Sequence, residues 1–148
     1  MRETKAGAGA GALFWILGVV FLLWNAAGGC GIYLLDKSMT DAELLKLSGQ
    51  AALDARHAYP IWASIAYGVA VWVGLLAAIL YLLRKRLSVT LFILSLSAAI
   101  ICFIPNFTNA TVKAGGGDSF WVMPVIVVII GCLEIWWSRR KVADGTLS

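Results

Sequence analysis

The chain has 148 residues, of which 61% are hydrophobic and 14% charged, and its formal net charge is +4. A globule of that length cannot enclose so much apolar side chain, so a water-soluble fold is excluded and a lipid bilayer must cover the excess. The basic residues lie in short clusters beside apolar runs, a pattern of membrane topology and contact with anionic lipid; no nucleic-acid partner is expected.

Residues 1–11 carry Arg2 and Lys5 and precede a first apolar run, 12–35. Its length suits a helix, which rises about 1.5 Å per residue across a hydrocarbon core of about 30 Å. Ala27-Gly28-Gly29-Cys30 loosely resembles a lipoprotein cleavage box. The apolar run continues through Leu35, however, so the segment is expected to stay as a membrane helix. Cys30, Cys102 and Cys132 all lie in apolar runs without CxxC spacing and read as small packing residues.

The next stretch, 36–59, is the one sizeable loop. Thr40-Asp41-Ala42-Glu43 is a capping-box pattern that predicts one short, modestly amphipathic helix through Leu44, Leu47 and Ala51. The second span is 60–83, followed by the basic turn 84–86, Arg84-Lys85-Arg86. The third span, 87–105, is expected to end at Pro105. A glycine-rich loop, 106–119, is expected to be mobile. The fourth span is 120–137, and the tail 138–148 carries Arg139-Arg140-Lys141.

The fold class is therefore all-α: four transmembrane helices with a short amphipathic helix in the first outer loop. Barrel strands would alternate apolar and polar residues, which these runs do not do. Eight lysines and arginines fall on one side of the four crossings, and Lys37, Lys46, Arg56 and Lys113 on the other. Both termini are thus expected to be cytoplasmic, in the inner (plasma) membrane. Tyr33, Tyr59, Trp62 and Trp121 should flank one interface, and Tyr81, Trp136 and Trp137 the other. Trp24 and Trp72 fall near mid-membrane, where each indole N–H needs an internal partner.

Helices in lipid associate through close backbone approach and hydrogen bonds. Ala66, Ala70, Gly74 and Ala78, at four-residue spacing, form a groove down the second span; the first offers Ala27 and Gly31 at the same spacing, plus Gly28 and Gly29, and is expected to pack tightly against the second. The fourth span, with Gly131 alone among its small residues, is expected to face lipid or another subunit.

Asn25 is the most informative residue, because an amide inside a span must bond to a neighbouring helix, water or a ligand. One reading makes it an interhelical contact. The other makes it the floor of an outward-facing cavity bordered by Tyr33, Trp62, Ser64, Tyr67, Asn106 and Trp121, whose rings, amides and hydroxyls suit a neutral polar or sugar-like solute. Glu134 is expected to reach the interface and pair with Arg84, Lys85, Arg139 or Arg140. His57 has no partner at catalytic spacing, and no metal-ligand, phosphate-loop or dinucleotide motif occurs, so no enzyme activity, metal or cofactor is expected.

The "WN" of the first span, "MTDAELL" in the loop, "YPIWASIAYGVAVWVGLLAAILYLLRK" and "LSVTLFILSLSA" resemble a family of small four-span bacterial membrane proteins often labelled sugar transporters. The resemblance spans most of the chain and implies solute transport. Two functions are carried forward. The first is a noncatalytic assembly or accessory protein, partnered by a membrane protein or by its own copies. The alternative is a transporter of small sugar-like or neutral polar solutes, working as an oligomer.

Overall fold

The computed structural model describes residues 10–148, all helix, turn and loop with no strand among them; Arg2 and Lys5 lie outside the described residues. Helix α1 (Ala12–Leu23) runs directly into a π-helical segment (Trp24–Gly31) and on into α2 (Ile32–Ser38). Two short helices follow, α3 (Asp41–Ser48) and α4 (Gln50–Ala58). Then come α5 (Ile61–Leu82), α6 (Leu87–Thr108), the short α7 (Ala110–Gly115), a 3₁₀ turn (Gly117–Ser119) and α8 (Val122–Ala143). Four stretches are long and apolar enough to cross a membrane: Ala12–Ser38, Ile61–Leu82, Leu87–Thr108 and Gly117–Ala143.

Local chemistry accounts for most of these boundaries. Thr40 caps α3 through the expected capping box, its hydroxyl accepting from the Glu43 amide while Glu43 accepts from the Thr40 amide at 2.8 Å. Where one loop helix was expected there are two, because Gly49 adopts φ +82° and turns the chain between them. The glycine-rich loop is also more ordered than expected. Asn109 accepts from the amides of Thr111 and Val112 and so starts α7. Pro105 does not end the third span; α6 continues to Thr108, with Pro105 buried in its last turns. Pro124 falls in the first turn of α8, where its missing N–H costs no hydrogen bond.

The most extensive helix pairing is α5 with α6, and α8 packs on α6. Ala70, Gly74 and Ala78 are buried on α5, but Ala70 meets Ala98 and Ala99 of α6. Ala66 is only half-buried, and Ala27 and Gly31 are exposed. Of the small residues expected to make the contact, Gly29 is the one that faces α5, against Val71, and the Cys30 thiol points to the Val71 carbonyl at 3.7 Å. Gly29 shares a helical face with Asn25 and Gly28, whereas Ala27 and Gly31 lie on the opposite side of the same turns.

At the end of the bundle carrying Arg84–Arg86, Phe14 stacks on the fully buried Tyr81, ring centroids 4.5 Å apart. Phe21, Phe92 and Leu147 complete that cluster, and Trp137 donates its indole N–H to the Tyr81 hydroxyl at 2.9 Å. Tyr81 is thus a core residue rather than an interface anchor. Residues 144–148 fold back here: Arg84 Nε donates to the Thr146 carbonyl at 2.9 Å, and the Ser148 amide to the Arg84 carbonyl at 2.9 Å. The opposite end is covered by α3, α4 and α7.

Candidate functional site

Asn25 is the second residue of the π segment and is 9% exposed. Its Nδ2 donates to the Phe21 carbonyl at 2.9 Å and to Glu134 Oε1 at 2.7 Å. Glu134, on α8, is 5% exposed, and Asn25 is its only hydrogen-bond or ion-pair partner among the described residues. The expected pairing with Arg84, Lys85, Arg139 or Arg140 is therefore corrected. The helix does not end near Trp137 but runs to Ala143, so Glu134 is held well inside it, on the buried face it shares with Gly131 and Ser138.

Two further residues complete the meeting point. A methyl added at Gly74 of α5 would collide with Asn25 Oδ1 and Ser95 Oγ, so the missing side chain is what admits the amide. Ser95 of α6 donates its hydroxyl to the Ala70 carbonyl at 2.7 Å. All four membrane-length segments thus contribute one residue to a single polar cluster: Asn25, Gly74, Ser95 and Glu134. A buried carboxylate with only a neutral amide for company is costly.

This cluster forms the floor of a cavity of about 750 Å³ between the helices. Ser64, Tyr67 and Asn106 line it as expected from the sequence, and so do the bare backbones of Gly28 and Gly29 and the rings of Trp24, Phe92 and Phe103. Three residues assigned to its border lie elsewhere. Tyr33 lines a separate, shallower groove between α2 and α5 with Lys37, Gly68 and Trp72. Trp62 and Trp121 are each 49% exposed on the outside of the bundle. Trp72 also faces outward, and neither it nor Trp24 donates its indole N–H to a protein acceptor among the described residues.

The mouth lies beneath α3 and α4. Arg56 of α4 ties it together, donating from Nη2 to the Asp36 carbonyl at 2.6 Å and to Asp36 Oδ1 at 3.2 Å, and from Nη1 to the Met39 carbonyl at 2.9 Å. Nη1 also reaches Asp41 Oδ1 at 3.4 Å, and His57 Nε2 lies 2.8 Å from Asp41 Oδ2. His57 first, and Arg56 after it, hold the Asp41 carboxyl below its ordinary range. Packing of α4 on α7 is close because Gly115 lies against Ala55 and the Ala51 carbonyl. Among the described residues no group of three or more His, Cys, Asp or Glu is placed to hold a metal ion. Cys30 and Cys102 are buried free thiols, and Cys132 is exposed.

Of the floor cluster, Gly74, Ser95 and Glu134 are residues that the sequence reading did not assign to the cavity. The signal for Glu134 was present as Gly131, Glu134 and Ser138, spaced i, i+3, i+7 on one helical face of an otherwise Val- and Ile-rich segment. No protein-family profile, curated protein or solved structure matches the chain.

Proposed function

We propose that this protein binds and carries a small solute across a membrane, with the central cavity as the solute site. The observation that carries the reading is Glu134: a buried carboxylate on a cavity floor, bonded only to the neutral amide of Asn25. A purely structural polar contact gains from an interhelical hydrogen bond of roughly 0.6–2 kcal/mol and has no need of a charge-bearing partner. The cavity volume of about 750 Å³ lies within the roughly 300–1,000 Å³ of small-molecule sites. The resemblance to small four-span proteins labelled sugar transporters supports the same class of function.

Four segments are few for alternating access, which is usually built from paired repeats, so a second copy supplies the other half in this reading. The face of α8 with exposed Ile126, Ile129, Leu133 and Trp136 is where that copy, or lipid, lies. The same exposed face is what favours the second reading, a noncatalytic assembly partner. The membrane is read as an inner (plasma) membrane with the basic end on the cytoplasmic side, supported by the uneven distribution of lysine and arginine.

Counterflow in proteoliposomes tests the proposal, using a panel of labelled sugars, polyols and amines with wild type, Glu134→Gln and Asn25→Leu. Saturable flux in wild type that falls at least about tenfold in both variants, each still monodisperse in detergent, is expected from loss of a buried charged contact. Flux of no solute in wild type, or flux unaffected by both substitutions, rejects it in favour of assembly.

A further inference from the structure

We infer that the solute is a protonated amine carrying an apolar body, its ammonium group seated between Glu134 and the amide oxygen of Asn25. The inference rests on the solute-binding reading above and adds the chemical class. It follows from which hydrogen-bonding capacity on the floor is still free.

Both amide protons of Asn25 are committed, one to the Phe21 carbonyl and one to Glu134 Oε1. The Ser95 hydroxyl proton is committed to the Ala70 carbonyl. What remains there is Glu134 Oε2 and Asn25 Oδ1, which are acceptors and have no donor among the described residues. An ammonium group offers three N–H donors and no acceptor, so it matches an acceptor-only floor. A sugar, with as many acceptors as donors, finds no free donor for its own acceptors at this floor cluster.

Charge leads to the same class. The cavity is also lined by Asp36, Lys37 and Arg56, but these sit at the mouth and pair among themselves: Arg56 with Asp36 at 3.2 Å and Lys37 with Asp36 at 3.7 Å. Glu134 alone lacks a positive partner, so one cationic charge compensates it. A bare divalent ion is a poor match, since calcium takes about 6–8 oxygen ligands and one carboxylate with one amide oxygen supplies few. The walls meanwhile present Trp24, Tyr67, Phe92 and Phe103, rings that hold an apolar body and attract a cation on their faces.

The test is binding of three probes to the full chain in detergent at neutral pH, followed by calorimetry: 2-phenylethylammonium, its uncharged counterpart 2-phenylethanol, and glucose. Wild type is expected to bind the ammonium at least about tenfold more tightly than the alcohol, as a charged hydrogen bond requires. Glu134→Asp keeps that preference, and Glu134→Gln removes it while the alcohol still binds. Equal binding of ammonium and alcohol by wild type, or a preference that survives in Glu134→Gln, overturns the inference. The wild-type comparison alone decides it if the Gln variant does not fold. Binding of alcohol or glucose without an ammonium preference sinks the amine assignment and leaves the solute reading standing; binding of none of the three by monodisperse wild type sinks both.

Discussion

Gly74 is the residue on which the polar cluster depends most directly, because its missing side chain gives Asn25 and Ser95 room to approach α5. Gly74→Ala puts a methyl into Asn25 Oδ1 and Ser95 Oγ, and neither is the far end of a long flexible chain. The expected cost is that of overpacking, about 1–3 kcal/mol, read as a lower unfolding midpoint in detergent, together with weakened solute binding as Asn25 moves off Glu134. An alanine at Gly31, by contrast, lies on the exposed face away from the cavity, meets only the Ala26 carbonyl at ordinary contact distance and leaves both properties unchanged. The difference shows what single residues disclose before any fold is known. Asn25 was legible because an amide in an oily run has to find a partner. Glu134 was misread because its nearness to Arg139-Arg140-Lys141 in sequence suggested a short reach to water, whereas α8 continues through those residues and keeps the side chain on its buried face. Which of two opposed pulls wins for such a carboxylate, the nearby basic turn or the facing amide 109 residues away, is decided by helix rotation, for which the spacing of Gly131, Glu134 and Ser138 is the local sign.

At the scale of elements, the apolar runs and the Thr40 capping box could be read directly, since length and hydropathy set a span and a cap needs only three residues of context. The π segment could not. It spans Trp24–Gly31, where Asn25, Gly28 and Gly29 keep the inward face that their i, i+3, i+4 spacing gives and Ala27 and Gly31 turn out. The order of α7 was hidden for a related reason: a glycine-rich stretch reads as mobile unless another helix uses the glycine for close approach. Gly115 is used in that way by α4, so Gly115→Leu should separate the two helices. With the α3–α4 pair released over the cavity mouth, amide exchange in Asp41–Ala58 is expected to accelerate about tenfold or more, while exchange in α5 and α6 stays unchanged. Equal acceleration throughout would show instead that the variant loosens the whole chain.

Across the whole molecule, the two ends differ in what holds them, and this sets how each responds to conditions. At the basic end, Asp144 accepts from Lys141 Nζ at 2.7 Å and from the Thr146 hydroxyl at 2.6 Å. Lys141 first, then Thr146, hold its carboxyl down to about 2, against an ordinary 3.8. A carboxyl depressed in the folded state stabilises it above the ordinary value and loses that contribution as pH falls through the folded one. Residues 144–148 should therefore loosen from Tyr81 and Trp137 between about pH 4 and pH 2, seen as a change in tryptophan emission. Asp144→Asn should show the loosened emission already at neutral pH and no further step in that window. Asp144 is exposed, so the effect is expected at the tail and not in the global unfolding midpoint.

The proposed orientation in a bilayer rests on the same basic end, and it gives the cavity a direction. Lys85 sits in the turn between α5 and α6, and Lys46 in α3 at the opposite end. In the proposed topology the Arg84–Arg86 turn and Arg139–Lys141 lie in the cell interior, and the mouth under α3 and α4 then opens outward. In a background with Cys30, Cys102 and Cys132 replaced by alanine, single cysteines at the two lysine positions separate the cases. With a membrane-impermeant maleimide on intact cells, Lys46→Cys is expected to be labelled at once and Lys85→Cys only after permeabilisation. The opposite pattern inverts the protein: the cavity then opens to the cell interior, and any solute bound at Glu134 enters from that side. Labelling of both positions in intact cells would mean that both orientations occur, with the cavity opening to either side.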